Sequence, residues 1–579
     1  MIDRLWKARG VAVITALLLA VGCGGEGGGS DASGGGDSGP AASPVDAATA
    51  VHASGLVTFS GMAPANAEID MSTEDVCAAK HSMTPSQETV VAQAARRFLQ
   101  RKKTDKAIEI LRLGQAANPE SVTTHEWLGL AYQQASQPDE DIAAFGIALA
   151  KSNPTLISVR GLAKLHAAAK RFDDAFKVLD TALTRDKREP EFWLGIADLY
   201  RDTGIAARAK MDRIKAGIIT SLDKASALKP ESPLILHRLA DYYKVWGESD
   251  KAIALFIQLI ELNPGLIGVR EQLADLYLRA DMTQDAIRQL EAILRERPTN
   301  ERALFVLGGI KRQLDKLEEA AAHFETVLKI NPKFELAYYE LAGVRLFQNR
   351  PTITLATLKK AGEQFKPRFI TKFYAGLAHS ALYQYPKAIE NLLDAEKLAQ
   401  AGEQNRLTHF FYFQLGAAYE RNRQYETADK TFNKAIEMSP EYHNAMNYLG
   451  YMWADINRNL DEAAKHITMA NELSPDNASY VDSLGWLYFR QGKFTEALTE
   501  LQRAAELLKD EPNSTIHEHT ADTHQQLCQA DNARAHWAMS LVFLRKHEAE
   551  MISPDPYLLE HLRTVRNKLG PAYKATPTW

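Results

Sequence analysis

The spacing of prolines constrains this chain more than any other feature of its 579 residues. Eleven of the 23 prolines form a series in which, apart from one gap of 73 residues, neighbouring members lie 34 to 40 residues apart. Proline lacks an N–H group and clashes with the preceding helical turn, so each one ends a helix. The series comprises Pro119, Pro154, Pro190, Pro230, Pro264, Pro298, Pro332, Pro367, Pro440, Pro475 and Pro512. A period near 34 predicts stacked helical units that are not stable singly.

Each unit carries the same internal pattern. A large apolar residue is followed by Leu, a small residue and often an aromatic, as in WLGLAY (127–132), YLGYMW (448–453) and SLGWLYF (483–489). A second segment has an early Ala and a later aromatic, as in Ala320 with Phe324 and Ala428 with Phe432. Small residues let two helices approach closely, and the aromatic side chains fill the space between them.

This pattern resembles the tetratricopeptide repeat. The resemblance implies an all-α fold, a right-handed superhelix of helix hairpins that forms a TPR-type α-solenoid. About thirteen units are expected over residues 86–546, with a C-terminal cap helix and tail at 547–579. By the same resemblance, the first helices line a concave groove that binds protein or peptide partners.

The first 22 residues have the parts of an export signal. Three basic residues precede an apolar run at 11–21, which is too short to span a bilayer that needs roughly 20 residues. Gly22 and Cys23 then resemble the end of a bacterial lipoprotein signal, although Ala20 replaces the usual Leu. We expect lipidation at Cys23, the alternative being ordinary secretion with an incidental cysteine. Residues 23–53 are predicted to form a Gly/Ser-rich tether.

The resemblance to a lipoprotein signal also implies a cellular location for the protein. Gly24 is not the Asp that favours inner-membrane retention in some bacteria. We therefore expect an exported protein, lipid-anchored to the outer membrane and facing the periplasm. Acyl chains such as palmitate on Cys23 would supply the anchor.

Residues 54–85 are predicted to form a short strand-containing segment, because SGLVTFSGMAP alternates apolar and polar residues before turn formers. It resembles the opening of a small β domain found in bacterial envelope proteins. Cys77 and His81 lie one helical turn apart and are weak metal candidates. A remnant or capping segment without metal is the favoured interpretation.

A second weak metal candidate lies near the end of the repeats. His517, His524 and Cys528 share one helical face, whereas His519 is predicted to point elsewhere. His517 and His524 occupy positions where earlier units have core residues, so packing is the favoured interpretation. We expect no bound metal and no cofactor.

Other function classes lack a signal. The net charge of −5 gives no support for a nucleic-acid partner. Nucleophile-elbow, phosphate-loop, zinc-protease and Cys-x-x-Cys motifs are absent from the sequence. We therefore expect a protein that is not an enzyme.

Helical phase predicts which side chains face the groove. Aromatic and Arg residues, which are typical interface anchors, are concentrated in the C-terminal half. The alternative for each is packing between successive first helices. The predicted groove comprises Arg302, Phe305, Arg312, Tyr339, Phe347, Phe410, Phe413, Arg421, Asn447, Tyr451, Asp482, Trp486, Phe489 and Arg490.

These features together favour a membrane-anchored scaffold or adaptor that binds other envelope proteins or peptides through its groove. Two alternatives stay open. One is a metal- or redox-associated accessory lipoprotein that uses residues 54–81. The other is a polysaccharide export or assembly factor in which Trp486 and Phe489 stack on sugars.

Overall fold

The computed structural model describes residues 87–570, except for 152–153, 188, 210, 510–512 and 551–555. The signal peptide, the tether and residues 54–85 therefore lie outside the described residues. Within them there are twenty-seven α-helices, one short 3-10 helix at Gln404–Arg406 and no strand. The helices form thirteen hairpins followed by a single helix, and the predicted all-α repeat fold is confirmed.

The described residues divide into two compact units. The N-terminal unit ends at Glu296 and contains six hairpins. Its helices are α1 (Gln87–Gln100), α2 (Thr104–Ala117), α3 (Val122–Gln134), α4 (Pro138–Ala150), α5 (Leu156–Ala168), α6 (Phe172–Leu183), α7 (Pro190–Ala207), α8 (Met211–Ala227), α9 (Pro233–Val245), α10 (Ser249–Leu262), α11 (Ile267–Arg279) and α12 (Thr283–Glu296).

The C-terminal unit begins at Arg297 and contains seven hairpins and the final helix. Its helices are α13 (Glu301–Gln313), α14 (Leu317–Ile330), α15 (Glu335–Phe347), α16 (Pro351–Gly362), α17 (Phe369–Ala381), α18 (Tyr385–Gly402), α19 (His409–Arg421), α20 (Tyr425–Met438), α21 (His443–Asp455), α22 (Leu460–Leu473), α23 (Ala478–Arg490), α24 (Phe494–Leu507), α25 (Ser514–Gln526), α26 (Ala530–Glu550) and α27 (Pro556–Leu569).

Glycines in the first helix of a hairpin set how closely the second helix approaches. A Cβ atom on Gly308 would lie 2.8 Å from the Phe324 ring, and one on Gly416 would lie 2.7 Å from the Phe432 ring. Such contacts are shorter than van der Waals packing allows, so only glycine fits there. The repeated small residue of the sequence pattern therefore meets the repeated aromatic of the second helix.

A left-handed residue forms the turn of each described hairpin. In eleven of the thirteen turns this residue is not glycine, and its φ lies between 49° and 61°. The N–H of the next residue then donates to a carbonyl five residues back, as Gln424 does to Tyr419 at 2.9 Å. This bond is that of a Schellman motif, which satisfies the carbonyls at the end of the first helix.

Stacking of hairpins creates a continuous interior in the C-terminal unit. One apolar core extends from Tyr338 on α15 to Leu487 on α23. Successive hairpins share it through aromatic contacts, such as Phe432 on α20 with Tyr448 on α21 at 5.3 Å between ring centroids. The first helices of these hairpins carry the predicted groove.

Candidate functional site

All fourteen predicted groove residues lie on first helices of the C-terminal unit. Arg302 is exposed, and six others are half-buried: Phe305, Phe347, Arg421, Tyr451, Phe489 and Arg490. The remaining seven are buried, namely Arg312, Tyr339, Phe410, Phe413, Asn447, Asp482 and Trp486. Helical phase alone therefore does not separate groove positions from packing positions.

Two predicted aromatics belong to the core between hairpins. Phe413 packs edge-on against Tyr448 of the next first helix, with ring centroids 5.6 Å apart. Phe410 makes the same kind of contact with Phe373 of the preceding first helix at 6.3 Å. These contacts give both phenylalanines a packing role in this structure.

Arg312 is also engaged within the protein. Its Nε lies 3.2 Å from the Glu340 carboxylate on the next first helix, and both side chains are largely buried. Burial raises the pKa of Glu340, and the neighbouring Arg312 opposes that shift. This ion pair links α13 to α15 and leaves Arg302 and Phe305 as the more accessible part of that helix.

Trp486 is the centre of an aromatic stack on α23. Its ring lies parallel to Phe489 at 4.7 Å and to His519 of α25 at 4.1 Å, measured between centroids. His519 Nδ1 also lies 2.9 Å from Asp482, which is 2% exposed. Burial lowers the pKa of His519, but the Asp482 carboxylate, together with Glu518 and Asp522, outweighs burial and raises the pKa. A buried histidine–carboxylate pair therefore lies against the indole ring.

Buried polar atoms without a hydrogen-bond partner occur at several described positions, and at this site they include Asn447 Oδ1 on α21 and Trp486 Nε1 and Arg490 Nε on α23. An acceptor and donors are thus left on successive first helices. The Arg490 guanidinium lies 5.7 Å from the centre of the Trp486 ring. A ligand that offers an N–H and a carbonyl group would satisfy Asn447 Oδ1 and Trp486 Nε1 once neighbouring side chains move aside, because neither atom is exposed in this structure.

His519 points away from His517 and His524, in agreement with the sequence prediction. It is 5% exposed and pairs with Asp482 of α23, whereas His517 contacts His536 of α26. The i, i+7 and i+11 spacing that grouped His517, His524 and Cys528 does not reveal Asp482, which is 37 residues before His519. The available signal in the sequence was Asp482, an acidic residue on the first helix of the preceding unit.

Only some of the weak metal candidates lie among the described residues. His517 and His524 are buried, as the packing interpretation predicts, and Cys528 is exposed at the turn before α26. Among the residues with described positions, no three His, Cys, Asp or Glu side chains are grouped so as to hold a metal ion. Cys77 and His81 lie outside the described residues.

Among the helices described between residues 87 and 570, none combines the length and apolar character that crossing a bilayer requires.

Family models described as tetratricopeptide repeat match this chain in both units. The matched stretches are 160–211, 234–266, 271–333, 413–478 and 457–512. The chain is a tetratricopeptide-repeat protein. Its repeat units are the hairpins described above, and the groove candidates lie on the first helices of five of them.

Curated relatives of this tetratricopeptide-repeat protein match short stretches. The TPR repeat-containing protein PA4667 of Pseudomonas aeruginosa is 33% identical over 91 residues, which is 16% of this chain. Anaphase-promoting complex subunit 3 of Schizosaccharomyces pombe is 31% identical over 105 residues, or 18% of this chain. The chain spans 15% of the length of each of these relatives.

Solved structures similar to this chain include one that aligns with most of it and one that aligns with about a third of it. The anaphase-promoting complex hetero-tetramer Cut9–Hcn1 has a TM-score of 0.37 at 13% identity, covering 76% of this chain and 96% of that one. YrrB, whose structure is described as a TPR protein with an unusual peptide-binding site, has a TM-score of 0.28 at 17% identity. It covers 33% of this chain and 95% of that one.

Proposed function

We propose that this tetratricopeptide-repeat protein is a non-catalytic adaptor that binds a protein segment through the first helices of its C-terminal unit. One observation supports this most directly: Asn447 Oδ1 and Trp486 Nε1 are buried without partners. Leaving a buried polar atom unsatisfied costs about 1–3 kcal/mol, so a donor and an acceptor left on neighbouring helices favour a ligand or a water molecule that pairs with them. A peptide main chain supplies the N–H and the carbonyl that the two atoms need.

The surrounding side chains fit the same partner. Phe489 and Arg490 are half-buried beside Trp486, so they offer apolar and cationic contact area at the edge of the site. Aromatic and Arg side chains are common anchors in protein interfaces. Many such contacts summed along the repeats would give affinity without a deep pocket.

A peptide-selection experiment tests this proposal. Random twelve-residue peptides are selected on the folded chain, and the dissociation constant of a selected peptide is measured on variants. Trp486→Phe keeps a ring but removes the N–H, and Asn447→Leu removes the acceptor. We expect each to weaken binding about fivefold, the effect of losing one neutral hydrogen bond of ~1 kcal/mol.

The matched control is Glu437→Gln on the exposed surface of the second helix α20, which leaves the affinity unchanged. Circular dichroism confirms that every variant is folded. Failure to select any peptide, or unchanged affinity in both site variants, would contradict the proposal.

We further propose that the adaptor is exported and held at the outer membrane by acyl chains on Cys23. The basic start, the short apolar run and the Gly22–Cys23 junction support this. The Gly/Ser-rich residues 23–53 would then hold the repeats clear of the lipid. Its partners would be other envelope proteins.

Cell fractionation tests the anchor. The native chain is expected in the membrane fraction, with a mass that includes the acyl chains, and Cys23→Ser is expected to prevent acylation. Cys528→Ser is the control, because Cys528 is an exposed cysteine far from the signal. An unmodified Cys23 in the mature protein would exclude the lipid anchor.

A further inference from the structure

The final helix α27 is attached to the last hairpin by an apolar face. Leu558, Leu562, Val565 and Leu569 recur at helical spacing and are buried against Trp537, Leu541 and Leu544 of α26 and Ala521 of α25. This packing accounts for the position of the helix on the stack. It leaves the polar side of α27 directed toward other elements of the C-terminal unit.

That polar side forms ion pairs with the first helix α25. Lys568 Nζ lies 2.9 Å from Glu518 and 2.6 Å from Asp522, and His561 also contacts Glu518. Glu518 and Asp522 are mostly buried, so these pairs are shielded from solvent. The basic side of α27 is therefore fixed to the acidic face of α25.

A second contact reaches much further along the chain. Glu560 of α27 accepts a hydrogen bond from Arg423 at 2.7 Å, although Arg423 lies at the turn between α19 and α20. That turn is three hairpins before α25. Other turn arginines pair with the hairpin directly before them, as Arg458 does with Glu426 at 3.0 Å. The Arg423–Glu560 pair is thus not part of the regular stacking.

This contact indicates on which side of the hairpins α27 lies. Elements three hairpins apart approach each other only on the inner side of a curved stack, where the chord is shorter than the arc. First helices two hairpins apart also come close, since the Tyr451 and His519 ring centroids are 6.2 Å apart. The contacts of α27 with Glu518 of α25 and with Arg423 together indicate that α27 runs along the side of the first helices, the side on which Asn447 and Trp486 lie.

We propose that α27 is a latch over the partner-binding face, with the Arg423–Glu560 ion pair as its releasable end. This inference rests on the proposed function, because it concerns access to the same site. The leucine face and the buried Lys568 pairs hold one side of α27 in place. Arg423 and Glu560 keep about 60% of their side-chain surface exposed, at 62% and 58%, and such solvent-exposed pairs are weak and screened by salt.

Thiol labelling tests the latch without any partner. Arg490→Cys reports on the inner face in a full-length chain whose Cys23, Cys77 and Cys528 are replaced by Ser, and the labelling rate with a bulky maleimide is measured. Arg423→Glu is expected to raise that rate at least threefold, and so is Glu560→Arg. The double variant Arg423→Glu/Glu560→Arg restores the pair with reversed polarity and is expected to return the rate to its original value.

The control is Lys430→Cys on the exposed surface of α20, whose labelling rate should not respond to either charge reversal. Circular dichroism of each variant confirms folding. Unchanged labelling at residue 490 in both single variants, or a double variant as reactive as the singles, would overturn the latch. Because no peptide is present, this failure would leave the proposed binding function untouched, and a failed peptide selection would leave the latch result intact.

Discussion

At the scale of single residues, the hairpin turns tolerate side chains that the left-handed region ordinarily disfavours. Cys528 has φ of 61°, and Tyr383 has φ of 59°. An L-residue there costs roughly 1–2 kcal/mol, with Asn and Asp less affected. The Schellman hydrogen bonds of the turn compensate for this strain.

A pair of turn substitutions tests that strain. Cys528→Gly relieves it and is expected to raise the free energy of unfolding by about 0.5–1 kcal/mol, the net of relieved strain and added chain entropy. Gly492→Ala introduces it, because Gly492 has φ of 75° although no atom lies within 4 Å of its Cβ position. Urea denaturation measures the free energy of unfolding of both variants. A change of the same sign in the two variants would contradict the explanation.

Acid sensitivity is also a residue-scale property of the last hairpin. Burial, reinforced by nearby His536, lowers the pKa of His517 to about 4. The unfolded chain takes up this proton near its ordinary pKa of about 6.5 while the folded chain does not. Stability from this group is therefore complete above pH ~6.5 and falls as the pH decreases toward 4.

His517→Phe should remove that dependence, because a phenyl ring can keep the parallel contact with Phe543 at 5.5 Å. We expect amide exchange in residues 514–549, corrected for intrinsic rates, to differ less between pH 7 and pH 5 than in the native chain. The exposed His547→Phe provides the comparison. Identical pH responses in native and His517→Phe chains would refute this assignment.

At the scale of elements, each hairpin depends on one close approach between its helices. Gly308 and Gly309 are adjacent in α13, but only Gly308 faces the Phe324 ring, and Gly309 has nothing within 4 Å of its Cβ position. The two positions therefore separate packing from helix propensity.

Gly308→Ala is expected to lower the free energy of unfolding by about 1–3 kcal/mol, since the added methyl group overpacks the hairpin. Gly309→Ala should raise it by up to ~1 kcal/mol, because Ala favours the helix. Denaturant titration of the two variants gives the comparison. Opposite signs at neighbouring positions are the required outcome.

The sequence predicted these elements well because their signal is periodic. The proline spacing and the small-residue pattern repeat in most units, so the all-α repeat fold followed from local rules. The candidate site was harder, because position on a helix does not reveal burial: Phe413 and Phe489 share a predicted face but differ in exposure. Contacts such as Arg423 with Glu560 depend on curvature, which no local pattern encodes.

At the scale of the whole molecule, a stack of hairpins has mostly neighbour contacts. Its stability is then a sum of local terms, and damage spreads only along the stack. The described residues also divide at Glu296, so each unit has its own interior.

Lys430→Pro tests this locality, because the exposed Lys430 lies inside α20 and proline there costs ~3 kcal/mol or more. We expect amide protection to fall in α19–α22 and to be retained in α1–α12. Lys430→Ala is the control and should leave protection unchanged. Loss of protection throughout the N-terminal unit would show a cooperativity that neighbour contacts do not provide.

The recurring left-handed turn has a consequence for how this protein acquires contacts. Its hydrogen bonds involve only main-chain atoms, so the side chain it carries is nearly independent of the fold. Such a turn therefore holds a variable side chain at a fixed backbone position, once in each hairpin. Arg423 occupies one of these turn positions. A substitution there can create or abolish a distant contact while the backbone of the turn stays the same.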